Sequence, residues 1–436
     1  MVHCAGMEDA ADQGPAPDPP SLPVKRGRKP RPAVRGEDLF GGKHVRMLQD
    51  HLSRLRRTHP HPNRSLFFDD VAIAYLLAFF TPAIRSLRTM EDFSQTEQMQ
   101  EQLSVDRLPR STLSDANKVF DPTLLEPIIE ELRARLPHLR HADVKLAELT
   151  ERVRVVDGSL FTVAADVAWA IHRRRADGKP MDTIRLNLQW AAGAGVPEGV
   201  TISGKGTSEA QALMDSLDPG LIYVMDRGYV CFDLLDRIVH ACSDFVLRLK
   251  SNNDFVPSES SNLQCKSLPL SEEDRAAGVI GDRIGRLGGV PPRFAPPAGK
   301  WLREVTVFNP DKPDEPIRLL TNILEVPAHI IALLYRWRWK IELFFRWLKV
   351  HAHFRHLTSH SKNGVTTGFY IAVIGVLLIY LHTQRPVSKY AYAMLSLVAA
   401  GQASLHEIGA ILERRERERE LARQRLARKK AEKISR

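Results

Sequence analysis

Between residues 37 and 150 apolar positions recur every three or four residues, as in FDDVAIAYLLAFFTPAI and PTLLEPIIEELRARL, without strand-like alternation. That spacing puts the apolar side chains on one helix face and predicts an all-α N-terminal domain over 37–150. Within it, Leu108–Ser114 (LPRSTLS) sets hydroxyl residues before ANKVF, which predicts caps for a short helix. That helix fits a helix-turn-helix element or one more member of a bundle equally well. After 150 the period changes. Val153–Val156, Asp182–Trp190, Leu221–Met225 and Phe245–Lys250 are short β-prone runs, with the helix-like SEAQALMDSL before the third. This alternation predicts an α/β core whose first part covers 151–250. Gly and Pro break the pattern from 251 to 320 and leave runs such as Leu302–Val307 and Ile317–Leu320, a mostly β insertion. Helical character returns at Pro327 and runs through the apolar stretch Phe369–Leu381, giving the core a second part over 321–400. The ends differ again. Residues 1–36 hold 7 of the 28 prolines and little that can form a core, which predicts a disordered tail. Residues 401–436 predict a basic helical tail.

Charge adds more than bulk composition does. With 436 residues, 43% hydrophobic and 26% charged, the chain has ordinary globular composition and room for two or three domains. Its 62 Lys+Arg against 52 Asp+Glu leave +10, which favours an acidic partner, nucleic acid first. The excess sits at the ends: SLPVKRGRKPRPAVR has six basic residues and no acid, and LERRERERELARQRLARKKAEKISR has 11 basic and 5 acidic. Each tail is therefore +6, and together they exceed the charge of the whole molecule. Arg26-Gly27-Arg28 resembles an AT-hook, in which glycine lets the backbone enter a narrow minor groove and the arginines follow its potential. The alternative is a solvated basic tail drawn to phosphate by charge alone. The 13-residue apolar run Phe369–Leu381 is short for a bilayer. The acidic, Pro-rich beginning lacks a signal-peptide core, and the four cysteines show neither CxxC pairing nor zinc spacing. The expectation is a cytoplasmic, nucleoid-associated chain away from membranes.

Two aspartates share a local setting. Asp157 follows Val153–Val156 and precedes Gly158; Asp226 follows Leu221–Met225 and precedes Arg227-Gly228-Tyr229. A strand end turning at glycine predicts a carboxylate held at the rim of a sheet, where α/β folds place ligands. Each aspartate alone reads as well as a turn former or helix cap. The third element is a helix over Leu334–Lys349, on which Tyr335, Arg338, Glu342 and Lys349 fall within roughly 60° of one another. Trp337, Ile341, Phe344 and Leu348 form a separate apolar stripe. An Arg338–Glu342 pair on a solvated face accounts for two of the four polar residues and leaves Tyr335 and Lys349 unexplained. Three carboxylates without His or Cys suit a hard cation, Mg²⁺ or Mn²⁺. Two such ions about 4 Å apart suit in-line phosphodiester displacement. Arg338 and Lys349 would then anchor the strand, and Tyr335 would bond a phosphate or stack on a base.

The spacing Tyr335-x2-Arg338-x3-Glu342-x6-Lys349 resembles the Y-R-E-K signature of insertion-sequence DDE transposases of the IS-four group. VVDGS around Asp157, VMDRGY around Asp226, the following FVLRLK, and FFRWLKV before a long apolar helix are similar to that family too. The resemblance runs from about Leu66 to Leu381 and leaves out both tails. It implies an RNase H-like catalytic core, with Asp157, Asp226 and Glu342 as catalytic, metal-binding residues and a mostly β insertion between the second Asp and the Glu. It also implies a helical DNA-binding domain before the core, and a homodimer that pairs terminal inverted repeats and joins them to target DNA. His172-Arg173-Arg174-Arg175 and RLNLQW depart from the family pattern, which leaves the end-recognition surface open. A DNA-binding protein without catalysis and a metal-dependent nuclease without strand transfer are the alternatives. His351, His353, His356 and His360 read as surface or phosphate contacts, and Trp301 as packing or a stacking platform.

Overall fold

The computed structural model describes residues 42–58, 66–81, 83–97, 105–136, 144–163, 167–174, 177–178, 180–257, 267–287, 301–350, 359–383, 387–399 and 402–434. The N-terminal part is helical: α1 (Gly42–Arg57), α2 (Phe68–Phe80), α3 (Leu87–Phe93), α4 (Arg110–Val119), α5 (Glu126–Ala134) and α6 (Val144–Arg152). Nearly every side chain of α2 is buried, including Asp69 and Asp70. Arg56 of α1 answers both acids, 3.0 Å from Asp69 and 3.8 Å from Asp70. Asp70 also accepts the Phe67 N–H and so caps the helix start. The hydroxyl residues expected to cap a helix at ANKVF lie inside α4 instead. That helix begins at Arg110, with Pro109 at the cap position and no side-chain bond there.

Ten strands then form one mixed sheet: β1 (Val153–Thr162), β2 (Ile171–Arg174), β3 (Pro180–Ala191), β4 (Val196–Ser203), β5 (Ile222–Met225), β6 (Asp244–Arg248), β7 (Phe255–Pro257), β8 (Val279–Leu287), β9 (Leu302–Val307) and β10 (Ile317–Thr321). The spatial order is β2-β3-β1-β5-β6-β10-β9-β8-β7, with β4 also on β3. β1 runs antiparallel to β3 and parallel to β5, and β5 runs parallel to β6. Strands β7 to β10 continue this sheet, because β10 pairs with β6.

Period-2 alternation buries the central strands on both faces. Val153, Val155, Ile222, Val224 and Val246 enter one core, and Val156, Tyr223, Met225, Phe245 and Leu247 enter the other. The second face is covered by α7 (Glu209–Met214) and α8 (Phe232–His240); the small α9 (Glu272–Ala276) lies beside β8. The first face is covered by α10 (Ala328–Arg336), α11 (Arg338–Val350) and α12 (Lys362–Thr383), followed by α13 (Lys389–Ala399) and α14 (Leu405–Ile434). α12 is longer than the 13-residue run at its centre. It is long and apolar enough to cross a membrane, yet 94% of that window is buried in protein. It packs on α2, α4, α5 and β4 and so joins the N-terminal helices to the sheet. Gly375 makes this approach close: a Cβ there would stand 2.4 Å from the Phe79 ring.

Candidate active site

Alternation along β1 sets the direction of its functional side chain. Val155 faces the core beneath α11 and Val156 the core beneath α7, so Asp157 faces α11 and Gly158 faces α7. Asp157 is not at a strand end as its Gly suggests, because β1 continues to Thr162 in unbroken register with β3. The parallel pairing is what ends at this level: its last pair is Val155 with Val224, so Asp157 stands where β1 and β5 part. Asp226 directly follows β5. Each aspartate is oriented by a glycine amide. Gly158 N–H donates to Asp157 Oδ1 at 2.9 Å, and Gly228 N–H to Asp226 Oδ1 at 2.7 Å.

The helix expected over 334–349 is divided. α10 ends at Arg336, α11 starts at Arg338, and Trp337 lies between them. The backbone tightens there to three-residue spacing, with Trp337 N donating to Leu334 O (3.1 Å) and Lys340 N to Trp337 O (2.9 Å). The apolar stripe survives the break. Trp337, Ile341, Phe344 and Leu348 are all buried, and Phe344 packs 5.1 Å from Trp190. Across the break, the Arg338 guanidinium lies 5.7 Å from the Tyr335 ring centroid. Its Nη2 is 2.6 Å from Glu342 Oε1, and its Nη1 is 3.9 Å from Asp157 Oδ2. Lys349 donates to Ser159 Oγ at 2.7 Å and sits 4.8 Å over the Phe161 ring, on the same β1 face as Asp157. Arg338 thus reaches Asp157 and holds Glu342 beside it, Lys349 lies on the Asp157 face of β1, and Tyr335 shares a cleft with Asp226.

Burial pushes the Asp157 carboxyl up from 3.8 to about 7. The Gly158 amide and Arg338 oppose the rise, while the negative charges of Asp226 and Glu342 add to it. Burial also raises Tyr335 against the pull of Arg338 and Arg248. For Arg338 burial disfavours the charge, but Tyr335, Glu342 and Asp157 outweigh it and raise its pKa. Among the described residues no three Asp, Glu, His or Cys side chains stand close enough to cage a metal ion as placed. A guanidinium lies between Glu342 and Asp157 instead. The donor chemistry still fits a hard divalent cation: the groups offer carboxylate oxygen only, and burial, with the neighbouring acids adding to it, leaves Asp157 holding its proton near neutrality.

Two clefts meet at Glu342. One, of about 890 Å³, brings Arg227, Arg248, Arg336, Arg338 and Lys312 beside Asp226 and Tyr335, with Trp339 half exposed at its wall. The other, of about 360 Å³, is bounded by Asp157, Ser159, Arg346 and Lys349. Arg227, Arg248, Arg336 and Lys312 were not singled out in the sequence, where each is one more basic residue near an element end. Glu209 was missed as well. It heads α7, 3.0 Å from Arg185 Nε, and burial raises its pKa. Trp301 carries the Arg286 guanidinium over its ring at 4.8 Å, and His172 bonds Asp182 at 2.6 Å. Arg26, Arg28, Arg175, His351, His353 and His356 lie outside the described residues.

A family model described as a transposase DDE domain matches residues 148–378, just over half the chain. Among curated proteins, the chain is 28% identical over 228 residues to one described as transposase y4zB of Sinorhizobium fredii, covering 52% of this chain and 60% of that one. It is 26% identical over 249 residues to one described as a transposase for insertion sequence element IS5377 of Geobacillus stearothermophilus, covering 57% and 60%. A third, described as a transposase for insertion sequence element IS4SA of Synechocystis, is 23% identical over 282 residues, covering 62% and 71%. The match therefore spans about 60% of the length of the first two relatives.

Proposed function

The chain belongs to the transposase DDE domain family, and from that premise we propose that it is an insertion-sequence transposase of the IS-four group. It would cut DNA at the element's ends and join the freed 3′ hydroxyls to target DNA. One observation carries the reading: Arg338 contacts Glu342 and reaches Asp157, while Asp226 presses on Asp157 electrostatically. Two of the three acids, 185 positions apart, are thereby linked through one basic residue, and the third lines the same cleft as Arg338 and Glu342, which supports reading them as one site. The antiparallel β1–β3–β4 followed by parallel β5 and β6 supports an RNase H-like core. On this reading 151–250 and 321–400 form the core, 251–320 is the insertion, and the helices of 37–150 bind DNA. A homodimer would hold two terminal repeats, and the protein would work in the cytoplasm at the nucleoid.

Asp157, Asp226 and Glu342 would hold Mg²⁺ or Mn²⁺, in two positions. Bound there, the ions would activate the attacking oxygen and stabilise the departing one. The chain's own groups do the rest. Arg227, Arg248, Arg336 and Lys312 neutralise phosphates along the larger cleft, and Lys349, braced on Ser159, does so in the smaller one. Arg338 balances Glu342 and Asp157 before substrate arrives. Water attacks the phosphodiester first and releases a 3′ hydroxyl; that hydroxyl then attacks a target phosphodiester and expels a target 3′ oxygen.

The test is a Mg²⁺-dependent cleavage and joining assay on DNA bearing the ends that flank the gene, with wild type beside Glu342→Gln. Cleavage and joining should vanish in the variant while gel-shift binding survives. Cleavage without joined product selects the nuclease, binding without cleavage in the wild type selects the non-catalytic DNA-binding protein, and cleavage that persists in the variant removes Glu342 from the site.

A further inference from the structure

Behind the aspartates, on the opposite face of the sheet, lies a second charged group that the proposed reaction does not yet use. Arg185 on β3 and Gly158 on β1 face α7, the side away from Arg338 and Glu342. Glu209, in the first turn of α7, reaches up between them and pairs with Arg185 at 3.0 Å. Its carboxylate fills the space left at Gly158 and lies against Gly228. A Cβ on Gly158 would stand 2.6 Å from Glu209 Oε1; one on Gly228 would meet Asp226 Oδ1 first, at 2.9 Å, with Glu209 Oε2 at an ordinary contact distance of 3.6 Å. Neither glycine is among those with positive φ; at Gly158 the space left by the missing side chain, and not an unusual backbone, is what Glu209 uses. These are the two residues whose amides orient Asp157 and Asp226. A further mark points the same way. Tyr229 is fully buried and its hydroxyl has no hydrogen-bond partner among the described residues, and the acids that act on it are Glu209, Asp157 and Asp226.

We propose that Glu209, steadied by Arg185, is a positioning residue that buttresses the Gly158 and Gly228 peptides and thereby fixes Asp157 and Asp226 for cation binding. The proposal rests on the reading of those aspartates as metal ligands. Glu209 acts through them and touches neither substrate nor reacting atoms. Gly158 is then required because any side chain there would displace the Glu209 carboxylate.

The test uses full-length protein without DNA, titrated with Mn²⁺ and followed by electron paramagnetic resonance, with gel-shift affinity and cleavage rate measured in parallel. Outer-shell partners of metal ligands are worth roughly 10- to 100-fold in affinity. Glu209→Ala should weaken Mn²⁺ binding and slow cleavage by about 10-fold or more, with DNA affinity unchanged. Gly158→Ala should do the same, and Gly158→Ala/Glu209→Ala should be no worse than either single change, because both remove one buttress. Glu209→Gln, which keeps the shape, should recover part of the loss and covers the case of an unstable alanine variant. Mn²⁺ affinity within twofold of wild type in both Glu209 variants overturns the proposal, as do losses that multiply in the double variant. Asp226→Asn separates the two ideas. If it abolishes Mn²⁺ binding while the Glu209 variants behave as wild type, only the buttress fails. If it binds and cleaves normally, the metal-ligand reading fails and takes the buttress with it.

Discussion

At Asp157, burial and two neighbouring acids hold a proton that an unfolded chain releases near 3.8. Between the unfolded value and about 7 the native state therefore binds more protons, and stability falls as pH rises across that window. At about 1.4 kcal/mol per unit, the carboxylate costs at most about 4 kcal/mol above pH 7. With cations chelated, Asp157→Asn should melt several degrees above wild type at pH 8, and the difference should close by pH 4. A gap that stays constant with pH, measured by calorimetry, would refute the assignment. The positions of the two aspartates, and of the Tyr335, Arg338, Glu342 and Lys349 row, were legible because each lies in a local pattern: a β-run before Asp-Gly or Asp-Arg-Gly, or a helical spacing. Glu209 was not legible. Locally it is a surface acid following the N-cap Ser208, and its relation to the site runs through Arg185, Gly158 and Gly228 on three separate elements.

At the scale of the element, the helices were readable and several strands were not. β8 reads VIGDRIGRL, with two glycines and three charges, and resembles a loop. It is a strand because its charges are answered by its neighbours. Arg303 of β9 bonds Asp282 at 2.8 and 2.6 Å with both side chains almost wholly buried, and Glu304 takes Arg283 and Arg318. Apolar periodicity cannot register a strand stabilised in this way. The break at Trp337 escaped for a related reason, since the apolar stripe runs straight through it and only the backbone hydrogen bonds change. Removing one partner of a buried pair leaves the other charge uncompensated, at roughly 3–5 kcal/mol. Arg303→Ala should therefore lower the midpoint of urea unfolding strongly, while Arg303→Ala/Asp282→Ala should recover much of the loss. Two single losses that simply add would show that the pair is not coupled.

Across the whole molecule, positive charge is unevenly placed. The larger cleft mixes Arg227, Arg248, Arg336, Arg338 and Lys312 with Asp226, Asp311, Glu315 and Glu342, an excess of one positive charge, so its long-range attraction for a polyanion is small. Residues 412–436, most of which lie in α14, hold 11 basic and 5 acidic residues, and 21–35 holds six basic residues and no acid. Residues 36–411 are then close to neutral at +2, because the two segments together carry +12, residues 1–20 carry −4, and the total is +10. On the proposed function, the cleft would supply geometry and the ends most of the long-range pull on DNA. Each phosphate contact that releases a counterion contributes about 0.9 to the slope of log affinity against log salt. Deleting 21–36 and 412–436 should flatten that slope by several units on non-specific duplex, yet leave saturating-DNA cleavage near the wild-type rate. If the slope is unchanged, the anchor is on the folded surface, and Arg227, Arg248 and Arg336 become the residues to neutralise next.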